Sequence, residues 1–214
     1  MNICFQSISE PQPYERLYQK MRNFTHDRNE STQDEIWFLE HTPVFTQGQA
    51  GKPEHILQAT NIPIVQTDRG GQVTYHGPGQ LMIYCLIDLK RRHLGIRDYV
   101  TALENTVIDL LESYQLKAHA KRGAPGVYLE DGAKIASIGL RVRKGRSYHG
   151  ICLNLAGDLS PFQAINPCGF QNLKVTKLQD HVKNINRFEV EQTLRTLLNQ
   201  RLKAGIMPCR EYEG

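Results

Sequence analysis

Apolar positions recur along this chain with two periods. Leu17, Met21 and Phe24 follow one another at helical spacing and predict an amphipathic helix between Tyr14 and Asn29. A longer stripe of Val100, Leu103, Val107, Leu110, Leu111 and Tyr114 predicts a helix over Arg97–Tyr114, with Asp98 as its N-cap. A third helix starts at Asn186, with Glu189 three residues on in a capping-box pattern and Val190, Leu194, Leu197, Leu198 and Leu202 as its stripe. The segments between read as strands: Glu35–His41, Asn61–Gln66, Gln72–Tyr75, Gln80–Asp88, Gly126–Leu129, Ala133–Val142 and Ser147–Leu155. Gly77-Pro78-Gly79, Gly123-Ala124-Pro125 and Gly145 punctuate them, and Asp131-Gly132 signals a hairpin. Helices and strands mix without strict βαβ alternation. The fold class expected is therefore α/β of an α+β-like kind, a mixed or largely antiparallel sheet with flanking helices, in one domain over residues 1–214.

Composition narrows this picture. The 214 residues are 40% hydrophobic and 22% charged, with a mean hydropathy of −0.47, as in soluble globular proteins. The longest apolar run, Leu81–Ile87, is far shorter than the roughly 20 residues a membrane helix needs, so no membrane partner is expected. The opening MNICFQSISEPQPYER has neither a basic nor an apolar leader region, and a cytoplasmic location is expected. The charge, 26 − 22 = +4, allows an acidic partner without demanding one. Lys90-Arg91-Arg92 and Arg141–Arg146 are basic runs of the solvated kind. Neither is interleaved with aromatics, so no nucleic acid is expected. Cysteines 4, 85, 152, 168 and 209 form no C-x-x-C. Reduced thiols are expected, with no disulfide framework, no metal and no cofactor.

Cys4, Cys85 and Cys152 lie in apolar strand patterns and read as buried structural residues. Cys168 sits instead in the breaker-rich turn Asn166-Pro167-Cys168-Gly169, which can lift a side chain from the core and leave backbone N–H groups facing an oxyanion. Cys209 also follows a proline, but in a terminal tail. A thiol with a pKa near ~8.5 needs help to ionise at neutral pH. His76 and His149, each in a Tyr-His-Gly at a strand edge, are candidates, either as bases or as loop hydrogen-bonding groups. So is Lys134, which strand alternation places with Ala136, Ile138 and Leu140. Burial on such a face would lower a lysine pKa; the alternative is a lysine that snorkels to water. Arg69-Gly70-Gly71, with Arg69 read as exposed, and Gly77-Pro78-Gly79 flank Gln72–His76 and would let backbone approach a ligand. No G-x-G-x-x-G or Walker A pattern occurs, and Ile135–Gly139 lacks the first glycine of G-x-S-x-G.

Taken together, RGGQVTYHGPGQL (Arg69–Leu81), GAPGVYLEDGAKIASIGLRVRKGRSYHG (Gly123–Gly150) and LNLAGDLSPFQAINPCG (Leu153–Gly169) resemble the bacterial octanoyltransferases, the lipoyl(octanoyl) transferases of protein lipoylation. HTPVFTQGQAGKPEHIL (His41–Leu57) is similar to them as well. The resemblance implies the α/β architecture shared with the catalytic domains of lipoate- and biotin-protein ligases. It implies transfer of octanoyl, or lipoyl, from an acyl carrier protein thioester to a lysine of a lipoyl domain. The acceptors implied are the E2 subunits of 2-oxoacid dehydrogenases and the glycine cleavage H protein. By motif, Cys168 would be the acyl-thioester nucleophile and Lys134 the partner that lowers its pKa and shuttles protons. The substrate-contacting segments would be Arg69, Gly70, Gly71, Gln72, Val73, Thr74, Tyr75 and His76; Ser137, Ile138 and Gly139; and Gly150, Ile151 and Cys152. After Cys168-Gly169 the family's short Met/Val-Thr-Ser element reads Lys174-Val175-Thr176-Lys177 here. Two alternatives stay open: an ATP-dependent lipoate- or biotin-protein ligase, and a non-catalytic module that binds an acyl carrier.

Overall fold

The computed structural model describes residues 3–171 and 173–203, with the side chains of Cys168 and Lys203 outside that description. In chain order the elements are β1 (Ile3–Ser7), α1 (Tyr14–Asp27), β2 (Asp34–Leu39), β3 (Val44–Gln47), β4 (Ile64–Gln66), β5 (Val73–His76), β6 (Gln80–Leu86), α2 (Ile96–Ser113), β7 (Ala118–Ala120), β8 (Gly126–Leu129), β9 (Lys134–Arg143), β10 (Arg146–Asn154) and α3 (Arg187–Lys203). Among the described residues a seven-stranded sheet runs β1-β2-β6-β10-β9-β8-β7 and a three-stranded one runs β4-β3-β5. The pairs β1–β2 and β3–β4 are parallel and the others antiparallel, so the architecture is the mixed α/β one expected.

Alternation along β6 decides the layering. Leu81, Ile83 and Cys85 face one side, packing with Leu103, Val107 and Leu110 of α2 and Val190, Leu194 and Leu198 of α3. Met82, Tyr84 and Leu86 face the other, with Leu17 and Met21 of α1 and Trp37 and Leu39 of β2. Covered on both faces, β6 is buried along its whole length, which is why its sequence reads as an unbroken apolar run. The small sheet has its own core of Phe45, Val73, Tyr75, Phe162, Ala164 and Ile165.

The three helices lie where periodicity puts them, with one correction. The residue before α2 is Gly95, and Asp98 sits inside the first turn without capping it by a side-chain hydrogen bond; its carboxylate there suits the helix dipole. Asn186 does cap α3, its Oδ1 accepting the Phe188 N–H at 2.9 Å. Strand β1 contains Cys4 as its apolar pattern suggested, but at this sheet edge the residue is half-buried rather than buried. Strands β1, β3 and β7 were otherwise not delimited in the sequence reading. They are three to five residues long, too short to display a period.

A buried charge cluster locks the first half together. Asp34, fully buried at the start of β2, accepts from Arg28 at 2.5 Å and from Arg91 and Arg92 at 2.6 Å each. The run Lys90-Arg91-Arg92 is thus partly structural rather than simply solvated. Burial would raise the Asp34 pKa, but the Asp88 amide, Arg28 and Arg92 together hold it below the usual carboxylate value. No helix among the described residues is long and apolar enough to cross a membrane.

Candidate active site

A slot crosses the α1-side face of the large sheet. Its floor is built from residues in register: Ser137 on β9 lies opposite Cys152 on β10, which lies opposite Met82 on β6. Two residues along, Gly139 lies opposite Gly150, and Gly150 opposite Tyr84. Period-two alternation brings all six to one face. The residues on β9 and β10 are small, which leaves an open channel over them. Tyr14, Arg69, Gly70, Gly71, Gln72, Thr74, His76 and His149 complete a cleft that is open to solvent on one side.

The roof is a glycine loop held by an arginine. Arg69 is 7% exposed, not solvent-facing as the sequence suggested. Its guanidinium donates to the carbonyls of Thr46 at 2.5 Å, Gly70 at 2.9 Å and Gln72 at 2.8 Å. Those partners are main-chain oxygens from two segments, so burial costs the arginine no hydrogen bond. Gly71 adopts φ +87° and so favours glycine. Strand β8 stops pairing with β9 at Ser137, and beyond that point the Gly70 N–H donates to the Leu140 carbonyl at 2.9 Å. The loop therefore replaces a strand along the β9 edge.

On the far side of that loop lies a second cavity, also open to solvent. It shares Gly70, Gly71, Gln72, Ile138 and Gly139 with the first and adds Val100, Gly123, Ala124, Pro125, Lys134, Leu140 and Phe170. Lys134 is 2% exposed. Its Nζ donates to the Pro125 carbonyl at 3.0 Å and lies 5.2 Å from the Tyr128 ring centroid. Beneath it, Glu104 accepts the Gly126 N–H at 3.0 Å. Burial raises the pKa of that carboxyl, while the amide of Gly126 and the charge of Lys134 oppose the rise.

Pro167–Gly169 form a single 3₁₀ turn carrying Cys168. Neighbouring backbone fixes the turn: the Asn166 N–H donates to the His55 carbonyl at 2.8 Å, and the Gly169 N–H to the Asn166 carbonyl at 3.0 Å. A Cβ on Gly169 would lie 3.1 Å from Gln72 Cγ and 3.4 Å from His55 Nε2. The turn thus abuts Gln72, one of the residues common to both cavities.

A polar network backs the slot. His149, at φ +61°, is turned onto the α1 side beside Tyr148. Its Nε2 meets Asp68 Oδ1 at 3.2 Å, and the Tyr148 hydroxyl donates to Asp68 Oδ2. The Asp68 N–H donates to the Tyr18 hydroxyl at 3.2 Å. Burial would raise the Asp68 pKa, but the bonds from His149, Tyr148 and Tyr18 hold it well below the usual range. Burial lowers the pKa of His149, although the hydrogen bond and charge of Asp68 oppose the fall. His41 joins Tyr84 at 2.6 Å, and burial brings its pKa down to about 4. Burial also pushes His76 far below its ordinary value. The thiols of Cys85 and Cys152 are pushed up to about 12 by the same cause.

Of the residues singled out by sequence, Arg69, Gly70, Gly71, Gln72, Thr74, His76, Ser137, Ile138, Gly139, Gly150 and Cys152 line the slot. Lys134 lines the adjoining cavity. The side chains of Val73 and Tyr75 pack into the small-sheet core and that of Ile151 into the α2–α3 core. Cys209 lies outside the described residues. Tyr14, Met82 and Tyr84 were not foreseen as slot residues. For Met82 and Tyr84 a signal existed, since they share the face of β6 opposite Leu81 and Ile83.

Likeness to known proteins defines the class. The model of the lipoyl protein ligase A/B catalytic domain matches residues 12–200. Solved structures of the same fold include a lipoate-protein ligase A bound with ATP (TM-score 0.78, 15% identity, covering 94% of this chain and 86% of that one). They also include the biotin protein ligase of Aquifex aeolicus (TM-score 0.54, 13% identity, 95% and 69%). Sequence relatives go further. An octanoyltransferase of Vesicomyosocius okutanii is 61% identical over 169 residues, covering 79% of this chain and 82% of the relative. One of Pseudomonas entomophila is 56% identical over 191 residues, covering 89% and 88%. The chain belongs to the octanoyltransferases of this family, and is an acyltransferase.

Proposed function

We propose that the enzyme moves an octanoyl or lipoyl group from the thioester of an acyl carrier protein to a lysine of a lipoyl domain, through an acyl thioester on Cys168. The observation that carries this reading is the position of the Pro167–Gly169 turn. It abuts Gln72, which borders both the small-residue slot and the cavity lined by Lys134. The slot suits an extended apolar chain, and the second cavity suits the thiol arm of the donor and then the acceptor amine.

The reaction follows in two halves. Cys168 and Lys134 share one proton as thiolate and ammonium, and the carbonyl of Pro125 and the ring of Tyr128 attract the cation. The thiolate attacks the donor carbonyl, a C–S bond forms, and the tetrahedral oxyanion collapses. The carrier's thiolate leaves and takes the proton from Lys134. The acceptor amine then attacks the acyl-enzyme and gives a proton back to Lys134. The amide C–N bond forms as the bond to Cys168 breaks, restoring the thiolate. Cys85 and Cys152, with pKa values near 12, stay protonated and do not compete. The basic balance of the chain, +4, favours acidic carrier and acceptor domains.

Intact-mass spectrometry after incubation with octanoyl-acyl carrier protein tests this. One octanoyl adduct, absent from Cys168→Ser and formed without ATP, is expected. An adduct mapped to Cys85 or Cys152, or transfer that requires ATP, overturns it; the second result would favour a ligase.

A further inference from the structure

The slot floor is graded in size from strand to strand. From β9 to β10 to β6 one register row reads Ser137, Cys152, Met82, and the next reads Gly139, Gly150, Tyr84. Open space over β9 and β10 therefore closes at β6. The distance spanned is two strand spacings, roughly 9–10 Å, comparable to an extended eight-carbon acyl chain.

The two closing residues differ in what holds them. The Tyr84 hydroxyl is bonded to His41 Nε2 at 2.6 Å, and His41 Nδ1 is bonded to the Gln12 carbonyl at 2.8 Å. Tyr84 is a fixed wall, and removing it would strand a buried imidazole. Met82 has no polar anchor. It is 4% exposed and lines the slot on one side. On the other it packs in the cluster of Leu17, Met21 and Leu39. Leu39 is its register partner on β2. A thioether side chain at such a place is a plug between the slot and an apolar layer.

We propose that Met82 sets the acyl chain length by closing the slot at β6, so that its truncation lets a longer chain run on toward Leu39 and Met21. The proposal rests on the reading that the slot holds the acyl group. It assigns Met82 a specificity role and leaves the chemistry at Cys168 untouched.

The test compares hexanoyl, octanoyl, decanoyl and dodecanoyl thioesters of acyl carrier protein as donors, reading the rate of acyl adduct formation by intact mass. Met82→Ala should raise the decanoyl-to-octanoyl rate ratio about tenfold, the gain expected from burying two more methylenes. Met82→Phe should move the preference toward hexanoyl. Met82→Val serves if Met82→Ala does not fold, with thermal melting as the check. General damage to the fold would lower all rates together and leave the ratios alone. Unchanged ratios in a folded Met82→Ala or Met82→Val overturn the proposal. Failure of the wild type to take an acyl group from any donor would instead overturn the reading of the slot.

Discussion

Gly126 and Lys134 compete for the same volume: a Cβ on Gly126 would lie 2.6 Å from Lys134 Cε and 2.4 Å from the Ala136 carbonyl oxygen. Gly126 also has φ +137°, where L side chains are strained. The bare backbone at this position is what lets the lysine reach Pro125 while Glu104 caps the Gly126 amide. Lys134→Ala should slow transfer by about 10²–10⁴-fold while the protein stays folded. Lys134→Arg should not restore it, since guanidinium holds its proton at neutral pH. Gly126→Ala should combine a rate loss with destabilisation of about 1–3 kcal/mol. The pH profile of Cys168 alkylation by iodoacetamide separates the roles. Coincident profiles for wild type and Lys134→Ala would show that the lysine does not tune the thiol, and would point to His76 or His149 instead.

Arg69 and Gly71 should behave differently from one another. Arg69 is buried against three carbonyls, so Arg69→Ala should cost about 3–5 kcal/mol of stability as well as activity. A Cβ on Gly71 would have room, meeting only Arg69 Nη1 at 3.5 Å, yet the backbone there has φ +87°. Gly71→Val should therefore deform the slot roof at about 1–3 kcal/mol, with the larger effect on transfer rate. Chemical denaturation alongside rate measurement distinguishes the two; equal losses in both variants would make the loop purely structural.

Asp34→Asn should be among the most damaging single changes away from the slot. It leaves Arg28, Arg91 and Arg92 around a neutral amide, and breaking buried ion pairs of this kind costs about 3–5 kcal/mol. Urea midpoints would show it, with kcat unchanged in the folded fraction.

Stability should fall as pH drops from about 6.5 to 4. His41 titrates near 4 when folded and near 6.5 when unfolded, so the unfolded chain binds more protons in that window. Its contribution is complete above pH 6.5 and is lost on acidification. It amounts to about 3 kcal/mol, the free energy that corresponds to the gap between the folded and unfolded values. His76 and His149, both lowered by burial, act in the same sense. The carboxylates Asp34 and Asp68 are held below their usual values, and so add their losses at lower pH. Melting temperature across pH 7 to 4 measures the slope, and His41→Gln should flatten it.

Much of this arrangement was legible in the chain. The glycine loop, the small residues at 137–139 and the Cys168 turn stand out because glycine, proline and strand alternation carry local meaning. Val73, Tyr75 and Ile151 were grouped with slot residues by motif, yet a period of two turns their side chains to other layers. Arg69 read as exposed because its partners are carbonyls, one of them on β3, and no side-chain pattern announces a main-chain acceptor. Met82 and Tyr84 belong to the most obvious core strand. Only the register of β6 against β10 reveals that one of its faces borders a cavity.

The hydrogen bond from Gly70 to Leu140 also covers part of a strand edge. Past Ser137 the β9 edge runs Ile138-Gly139-Leu140-Arg141-Val142, a stretch that would template pairing with another molecule if left bare. The glycine loop occupies that edge at Leu140, and Arg141 and Arg143 place positive charge beside it. Substitutions that loosen the loop should therefore show up first as turbidity on concentration or warming, before any fall in secondary structure. The glycines of the slot roof thus do two things at once: they border the cavity and they cover a strand edge.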